Sequence, residues 1–366
     1  MSRAKIPLLV PDMPERAELE PFLGEIDAAR WYTNFGPLLR RFETGVAGLF
    51  AAPVPSLTTV SNGTLALELG LAALGLPKGA KVLIPALTFV ASASAALRAG
   101  LSPVFCDVDS ESWVLTPAIA REAMRRTRVE CVMPVAAFGC PLPAGEWDAF
   151  SEETGVPVLI DAAGAFGNQH AGEKIALAFS LHATKAFGVG EGGLVVARNA
   201  GHVERVRRLS NFGIDARTGY SELVGSNAKM SEFHAAVGMA ALARWPERSR
   251  RRRELHQRYL REMSDSCAGV TLQLRPADGI YTIFQVALPE GVRREAVAAA
   301  LASQGIESRA WYLPLVPDHP AYAACETTDV TAVRLLGPQL LGLPFHSRLS
   351  DEDITRVCSA LAAAIA

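Results

Sequence analysis

Lys185 is the residue of this chain whose setting most directly suggests covalent chemistry. It lies in FSLHATKAFGVGEGG (179–193), between an apolar run typical of a buried strand and a glycine-rich turn. A lysine amine can form an imine with an aldehyde when burial and its neighbours keep it partly deprotonated. A surface lysine in a loop is the alternative interpretation, and this stretch alone does not decide between the two.

Three other stretches place suitable groups at the ends of strand-like runs. Asp161, in VLIDAAG (158–164), ends an apolar run, and its carboxylate could keep a pyridine nitrogen protonated and the ring an electron sink. The turn SNGT (61–64) joins a strand to a helix, where backbone N–H groups can approach a phosphate. Phe89 ends another strand-like run and could stack on a flat ring. Taken singly, each has an ordinary alternative, as a helix cap or a core aromatic.

The elements that must position these groups alternate strand-like and helix-like runs from about residue 57 onward. Apolar runs without alternation are typical of strands buried on both faces, as in a parallel sheet flanked by helices. The sequence therefore predicts an α/β layer architecture. The runs with the strand signature are 56–64, 81–89, 102–109, 130–139, 156–164, 175–185 and 192–199.

The sequence pattern changes in the last third of the chain, where shorter strand-like segments occur at 270–274 and 280–288. Residues 229–245 are expected to form a helix that Pro246 interrupts, and a long basic helix is expected over 247–263. Further helices are predicted over 293–306 and from about Asp351. The predicted domains are therefore 1–246, a large domain that carries an N-terminal substrate segment, and 247–366, a small C-terminal domain.

The run Arg250–Arg253 could be a phosphate-binding patch, but the solvated face of an interdomain helix is the favoured interpretation. Aromatic residues do not alternate with these arginines, which argues against stacking on nucleic acid.

The composition describes an ordinary globular protein: 366 residues, 49% apolar, 20% charged, with a net charge of −2. The six cysteines are scattered without a CxxC pair, so neither a metal site nor a disulfide framework is expected. The chain has no apolar stretch of membrane-spanning length and no recognisable signal peptide. We therefore expect a cytoplasmic protein that binds neither membranes nor nucleic acid.

An imine lysine, a carboxylate, an aromatic and a phosphate turn together suggest pyridoxal phosphate. Their order along the chain resembles the DegT/DnrJ/EryC1/StrS sugar aminotransferase family, which has the aspartate aminotransferase fold (fold type I). SLHATK…GEGG is similar to that family's SFHATK…GEGG, and GSNAKMSEFHAAVGMAAL (225–242) to its GxNxRMSExQAAxGxxQL. Similar segments at 34–43, 61–109 and 340–354 extend the resemblance over nearly the whole chain.

The resemblance implies a large domain with a mostly parallel seven-stranded sheet flanked by helices, and a smaller α+β C-terminal domain. Lys185 would hold the cofactor as an imine, Asp161 would face the pyridine nitrogen, and Phe89 would stack on the ring. The phosphate contacts would come from Gly63, Thr64, Ser180 and, from the partner subunit, Asn227. The last contact implies an obligate homodimer with shared active sites.

Three positions depart from the family pattern. Gly164 stands where the family usually has His, Gln or Glu, which leaves space or leaves the role to another group such as His182. Lys229 replaces the usual Arg and could weaken a bidentate contact with the carboxylate of the amino donor. Ala186 follows the lysine where Asn is common.

The expected reaction moves an amino group from an amino acid, L-glutamate being favoured, to a keto-deoxy sugar attached to a nucleoside diphosphate. Lys185 would transfer protons as general acid and base. The segments RWYTNFGP (30–37) and SRAWYLPLVPDHPAY (308–322) are candidates for the sugar-nucleotide mouth, and their pattern favours amination at C4. The candidate substrate residues, for which ordinary loop packing is the alternative, are Trp31, Asn34, His182, Arg309, Tyr312 and His319.

Three alternatives to this reaction differ in what they require of the sequence. A pyridoxamine-dependent sugar dehydratase would carry His in place of the aldehyde-binding lysine, so Lys185 argues against it. A keto-cyclitol or related acceptor without a nucleotide stays open. A non-catalytic regulator is disfavoured by the Lys185–Asp161 pair and by the few residues that precede the NFGP segment.

Overall fold

A mainly parallel set of strands lies at the centre of the larger part of the molecule. The computed structural model describes residues 4–51 and 56–366. Within them, each of the runs with a strand signature contains a strand, and each strand is shorter than its run. They are β1 (Ser56–Val60), β2 (Lys81–Pro85), β3 (Ser102–Cys106), β4 (Cys131–Val132), β5 (Leu159–Asp161), β6 (Ala176–Ser180) and β7 (Gly193–Ala197).

These strands belong to two four-stranded sheets that meet edge to edge. One has the order β1-β7-β6-β5, and the other has the order β4-β2-β3 followed by a short edge strand, Glu326–Thr327. Two parallel bridges, Val132 with Val158 and Val135 with Asp161, connect the two sheets. All the pairings are parallel except those of β7, which runs antiparallel to both β1 and β6.

The strand directions bring the candidate residues to one edge. Since β1, β5 and β6 run the same way, their last residues, Val60, Asp161 and Ser180, lie at the same end of the sheet. Because β7 runs the other way, it begins at that end, where Gly193 pairs with both Val60 and Ser180. Ligands in open α/β sheets bind at this carboxyl edge.

Helices cover the sheet and contribute their N-termini to the same edge. Helix Gly63–Ala72 follows β1, and its N-cap Asn62 accepts a hydrogen bond from the N–H of Leu65 at 2.9 Å. Such caps satisfy one of the free N–H groups of the first turn. In chain order the helices up to residue 210 are α1 (Arg16–Ala29), α2 (Pro37–Ala47), α3 (Gly63–Ala72), α4 (Val90–Arg98), α5 (Pro117–Arg126), α6 (Ala144–Thr154) and α7 (Ala200–Ser210).

One helix, α8 (Glu232–Ser266), runs through the position where a break was predicted. The prediction that Pro246 interrupts it is wrong. A proline removes a single N–H donor and strains one turn, whereas α8 packs against α1 and α2 along one part of its length and against the C-terminal helix along another. The predicted domain boundary near 246 falls inside this helix and stays a prediction.

A second apolar core lies in the C-terminal part of the chain. A three-stranded antiparallel sheet forms it together with the second half of α8, and Tyr259, Phe284 and Phe345 lie at its centre. The N-terminal Ile6 packs into the same core. The remaining elements are β8 (Thr271–Leu272), β9 (Phe284–Ala287), α9 (Arg294–Ser303), β10 (Glu326–Thr327), α10 (Thr331–Leu336), β11 (Leu340–Leu343) and α11 (Asp351–Ile365).

The arginine run on α8 does not form one solvated face. Arg250 is exposed, but Arg251 donates to the carbonyl of Leu349 at 2.6 Å. Arg252 is buried and donates to the carbonyl of Tyr281 at 3.0 Å. The run therefore attaches α8 to the C-terminal part, because a helix turns its side chains in all directions.

Three further features concern only the part of the chain that the structure describes. Its helices include none long and apolar enough to span a membrane. Its acidic, histidine and cysteine side chains do not form a group of three or more suited to a metal ion. All six cysteines are free thiols.

Candidate active site

Lys185 and Asp161 lie close enough at the carboxyl edge of the sheet to interact electrostatically. Lys185 follows β6 in the glycine-rich loop, is half-buried, and its backbone N–H donates to the carbonyl of His182 at 2.9 Å. Burial lowers the pKa of its amine, and the nearby Asp161 partly opposes that shift. A lysine with a lowered pKa is more often neutral and hence nucleophilic, as imine formation requires.

Asp161 ends β5 with only 5% of its surface exposed. Burial raises the pKa of its carboxyl, while a hydrogen bond from Ser92, the N–H of Ala163 and the nearby Lys185 lower it. Ser92 Oγ donates to Oδ2 at 2.7 Å, and the N–H of Ala163 donates to Oδ1 at 3.1 Å. A nearby cation stabilises the ionised form of a buried carboxylate, so Asp161 is suited to face the protonated nitrogen of a pyridine ring.

Ser92 is a site residue that the sequence analysis missed. It lies in the first turn of α4, and because its hydroxyl donates to Asp161, it accepts the hydrogen bond that joins it to the hydroxyl of Thr88 at 2.7 Å. The available signal was its spacing: Ser92 follows Phe89 by three residues at a predicted helix start, which puts both on one side of the helix.

The turn before α3 forms a tight cradle against β6 and β7. A Cβ on Gly63 would lie 2.7 Å from Cβ of Ser180, and one on Gly193 would lie 2.2 Å from the carbonyl oxygen of Asn62. Glycine is therefore required at both positions. The same Cβ on Gly63 would lie 3.0 Å from Oγ of Ser180, so this hydroxyl lies beside the first residue of α3. Helix N–H groups with an adjacent hydroxyl fit a phosphate.

Phe89 is the N-cap residue of α4 and is 56% exposed, so it is not a core aromatic. One face of its ring is thus open for stacking. The C-terminal segment is fixed nearby, because the hydroxyl of Tyr322 lies 2.7 Å from Oγ of Ser94 and donates to the carbonyl of Val90 at 3.2 Å.

Tyr312 also belongs to this region. Its ring stacks on Phe138 with centroids 5.0 Å apart, and both residues have left-handed backbone angles, with φ of 61° and 57°. Burial raises the pKa of Tyr312, and the charge of Asp161 adds to this effect. Phe138 was missed because it was assigned to a strand, whereas β4 ends at Val132 and Phe138 lies in a tight turn.

His182 faces an acidic residue on the open side of the glycine-rich loop. Its Nδ1 accepts from the hydroxyl of Thr184 at 2.9 Å and from the N–H of Thr184 at 3.3 Å. This places the proton on Nε2, which lies 3.7 Å from Oε1 of Glu191. Glu191 was not singled out from the sequence, although it belongs to the GEGG motif.

The remaining substrate candidates lie on two segments. Arg309 is exposed, with its guanidinium 4.3 Å from the centroid of the Trp311 ring, and Nε2 of His319 lies 3.2 Å from the carbonyl oxygen of Pro314. Trp31 and Asn34 lie on the N-terminal segment, both exposed, and Asn34 has a φ of 60°.

The N-terminal segment is held on the first turn of α8 by a residue that was not singled out from the sequence, Glu232. Its N–H donates to the carbonyl of Tyr32 at 3.0 Å. Its two carboxylate oxygens accept from the N–H groups of Leu38 and Leu39, each at 2.9 Å. Glu232 is 1% exposed, and a Cβ on Gly36 would lie 2.6 Å from its carboxyl carbon.

Asn227, assigned to the partner's phosphate, is exposed on the hairpin between α7 and α8. Lys229 contacts it directly, with Nζ 2.7 Å from Oδ1. Two other departures from the family pattern are accommodated: a Cβ on Gly164 would lie 3.4 Å from the backbone nitrogen of Gly139, and Ala186 is buried.

The site thus combines a half-buried amine, a buried carboxylate, an open aromatic ring and a phosphate cradle, which together fit pyridoxal phosphate. The family model for the DegT/DnrJ/EryC1/StrS aminotransferase family matches residues 15–362. The chain is 30% identical to the dTDP-4-amino-4,6-dideoxy-D-glucose transaminase of Shigella dysenteriae, over 96% of either chain.

Two solved structures resemble the whole chain. One is a protein of Bacillus cereus ATCC 10987 assigned as a PLP-dependent aminotransferase, 31% identical, with a TM-score of 0.92 over 98% of this chain and 100% of that one. The other is DesI with its TDP-sugar product, 33% identical, with a TM-score of 0.88 over 98% and 92%. The fold type I prediction is confirmed. The chain belongs to the DegT/DnrJ/EryC1/StrS aminotransferase family and is a pyridoxal phosphate-dependent aminotransferase.

Proposed function

We propose that this enzyme transfers an amino group from L-glutamate to C4 of a nucleotide-linked keto-deoxy sugar. The observation that carries the proposal is the Lys185–Asp161 pair at the edge of the sheet, in a chain that matches nucleotide-sugar transaminases over nearly its whole length. The name of the Shigella relative, which specifies a 4-amino sugar, supports C4 as the position.

Lys185 would hold the cofactor covalently, and its amine would also serve as the acid–base group. When bound, pyridoxal phosphate supplies an electron sink that stabilises a carbanion on the amino donor. Nζ of Lys185 removes the proton from Cα of the donor. The lowered pKa of the amine suits this work, because a catalytic base is most effective with a pKa near the working pH.

Asp161 keeps the ring nitrogen protonated, and Ser92 holds the carboxylate in place. In the cofactor-free pocket, burial opposes the charge of Asp161 more than its hydrogen bonds favour it. A cation facing the carboxylate reverses this balance, because an opposite charge at short range favours the ionised form. Phe89 would stack on one face of the ring, since its side chain is exposed at the start of α4.

Gly63, Thr64 and Ser180 would hold the phosphate of the cofactor. Ser180 Oγ accepts from the N–H of His182 at 3.3 Å, which leaves its own proton for the phosphate. Asn227 adds a contact from the partner subunit, so the working enzyme is a homodimer with two shared sites.

The acceptor enters between the segments 30–37 and 308–322. Trp31 and Tyr312 offer rings for the sugar or the base, and Arg309 offers a guanidinium for the diphosphate. Asn34, His182 and His319 provide polar contacts to sugar hydroxyls.

The proposal is tested by incubating the purified enzyme with L-glutamate and a panel of acceptors, with detection of the amine by mass spectrometry. The panel contains 4-keto-6-deoxy and 3-keto-6-deoxy sugars, each linked to dTDP or to GDP. It also contains a keto-cyclitol, which has no nucleotide. Amination of a nucleotide-linked 4-keto sugar is the expected result. Conversion of the cyclitol alone would overturn the nucleotide-sugar assignment, and conversion of the 3-keto sugars alone would overturn the position.

A further inference from the structure

Lys229 and Asn227 form a connected pair on the exposed hairpin between α7 and α8. Nζ of Lys229 donates to Oδ1 of Asn227 at 2.7 Å and to Oδ1 of Asn211 at 2.8 Å. An ammonium group has only donors, so it can face only the oxygen of an amide. The contact therefore fixes the orientation of the Asn227 amide, with its NH₂ group turned away from Lys229.

The backbone on either side of Asn227 is already fixed. The N–H of Ser226 donates to the carbonyl of Leu209 at 2.8 Å, and that of Ala228 donates to the carbonyl of Ser210 at 2.9 Å. The carbonyl of Ala228 also accepts from the N–H of Ser61 at 2.8 Å, in the turn that forms the phosphate cradle. What remains adjustable at Asn227 is its exposed side chain, and Lys229 holds that side chain.

Lys229 brings a positive charge that nearby acidic groups do not balance. Among residues 4–51 and 56–366, no carboxylate lies within salt-bridge distance of its Nζ. Its neighbours are the two amide oxygens and the ring of Phe212, whose centroid lies 4.8 Å from Nζ. A cation that polarises an amide oxygen makes the NH₂ of the same amide a stronger donor, which suits an anion.

We propose that Lys229 is a positioning residue that acts through Asn227, turning and polarising its amide so that the NH₂ group donates to the phosphate of the cofactor. This inference rests on the proposed function, in which Asn227 contacts that phosphate across the dimer. It also gives Lys229 a role that does not involve the carboxylate of the amino donor.

The test compares the affinity for pyridoxal 5′-phosphate with that for pyridoxal, which has no phosphate. Holoenzyme is stripped of cofactor and titrated with each compound, with the visible absorbance as readout. Lys229→Met should weaken pyridoxal phosphate binding about tenfold, the usual scale of a charge-assisted hydrogen bond, and leave pyridoxal binding unchanged. Lys229→Arg, which keeps the positive charge, should keep most of the native affinity for pyridoxal phosphate. The matched control is Lys174→Met, at an exposed lysine 3.0 Å from Glu152.

A double variant separates action through Asn227 from direct action on the phosphate. If Lys229 acts through the amide, Asn227→Ala with Lys229→Met should bind pyridoxal phosphate no more weakly than Asn227→Ala alone. Fully additive losses would overturn the proposal, and so would an equal loss of affinity for pyridoxal, which would indicate a distorted hairpin. Failure of the native enzyme to bind pyridoxal phosphate would instead contradict the cofactor assignment and the proposed function.

Discussion

At the scale of single residues, the site contains ionisable groups whose burial disfavours their charged forms. Lys185 and Asp161 would each be fully ionised in water, and the pocket shifts the pKa of each toward the neutral form. Perturbed ionisable groups of this kind cluster at functional sites. The pocket thus prepares an amine that can attack an aldehyde and a carboxylate that gains from a bound cation.

Lys185 is expected to carry the cofactor. Borohydride reduction of the yellow holoenzyme followed by peptide mapping should place the label on Lys185. Lys185→Ala should lose both the label and the visible absorbance of the imine, because no other amine occupies the position. Lys174→Ala, at an exposed lysine, should keep both. A label on a different lysine of the native enzyme would refute the assignment.

Asp161→Asn should keep the cofactor but lose about 10²- to 10³-fold in single-turnover rate with glutamate, the scale on which buried electrostatic groups act. Ser92→Ala should lose less, about tenfold. The hydrogen bond from Ser92 lowers the pKa of Asp161, so its removal should move the acidic limb of the rate profile to higher pH. An unchanged rate in Asp161→Asn would remove this residue from the mechanism.

The reactive amine and the buried carboxylate could be predicted from the sequence. The residues that form hydrogen bonds or ion pairs with site residues could not. Lys185 and Asp161 are conspicuous because they end apolar runs. Ser92 and Glu191 are small or exposed polar residues, which occur in many positions without a role. The role of Ser92 depends on Asp161, which lies 69 residues away in the sequence.

At the scale of elements, a few buried contacts position the segments proposed to bind substrate. Glu232 connects the start of α8 to the start of α2, where it replaces the usual N-cap side chain, since Gly36 has none. Helices α9 and α11 were predictable from apolar spacing and from neighbouring Gly or polar capping residues. The continuity of α8 through Pro246 was not, because it depends on packing against other helices.

Glu232→Ala should release the N-terminal segment. It leaves the N–H groups of Leu38 and Leu39 without acceptors, which costs roughly 1–3 kcal/mol for each buried group. We expect a raised KM for the sugar nucleotide and unchanged visible absorbance of the cofactor. Glu247→Ala, an exposed glutamate on the same helix, is the control. An unaltered KM in a folded Glu232→Ala enzyme would argue against a role for this segment in substrate binding.

His256 on α8 should make stability depend on pH. Burial, with help from the nearby Arg275, lowers its pKa to about 3, whereas in the unfolded chain it is about 6.5. As the pH falls below 6.5, the unfolded state takes up a proton that the native state does not, so stability is lost. The loss should be roughly 1.5 kcal/mol between pH 6.5 and 5.

Urea unfolding of the holoenzyme at several pH values measures this dependence. His256→Gln should flatten the slope by that amount, while His170→Gln, at an exposed histidine, should leave it unchanged. An identical slope in the His256→Gln enzyme would show that other groups cause the acid sensitivity.

At the scale of the whole molecule, one subunit leaves an apolar surface uncovered near Asn227. On the same hairpin, Val224 is fully exposed and Tyr220 is 75% exposed, and Phe212 is half-exposed. Apolar side chains grouped in this way usually mark an interaction surface. We expect the partner in the proposed homodimer to cover them and to receive Asn227 at its phosphate.

Complementation tests the shared site directly. Lys185→Ala subunits should be inactive alone and Asn227→Ala subunits weakened, because the first lacks the covalent link and the second a phosphate contact. In a mixed dimer, one site combines both changes and the other is wholly native. Exchange between differently tagged subunits should therefore restore native-like turnover at up to one site per heterodimer. If tagged heterodimers co-purify without that activity, Asn227 does not act across the interface, and a fully active monomer in sedimentation would exclude the shared site altogether.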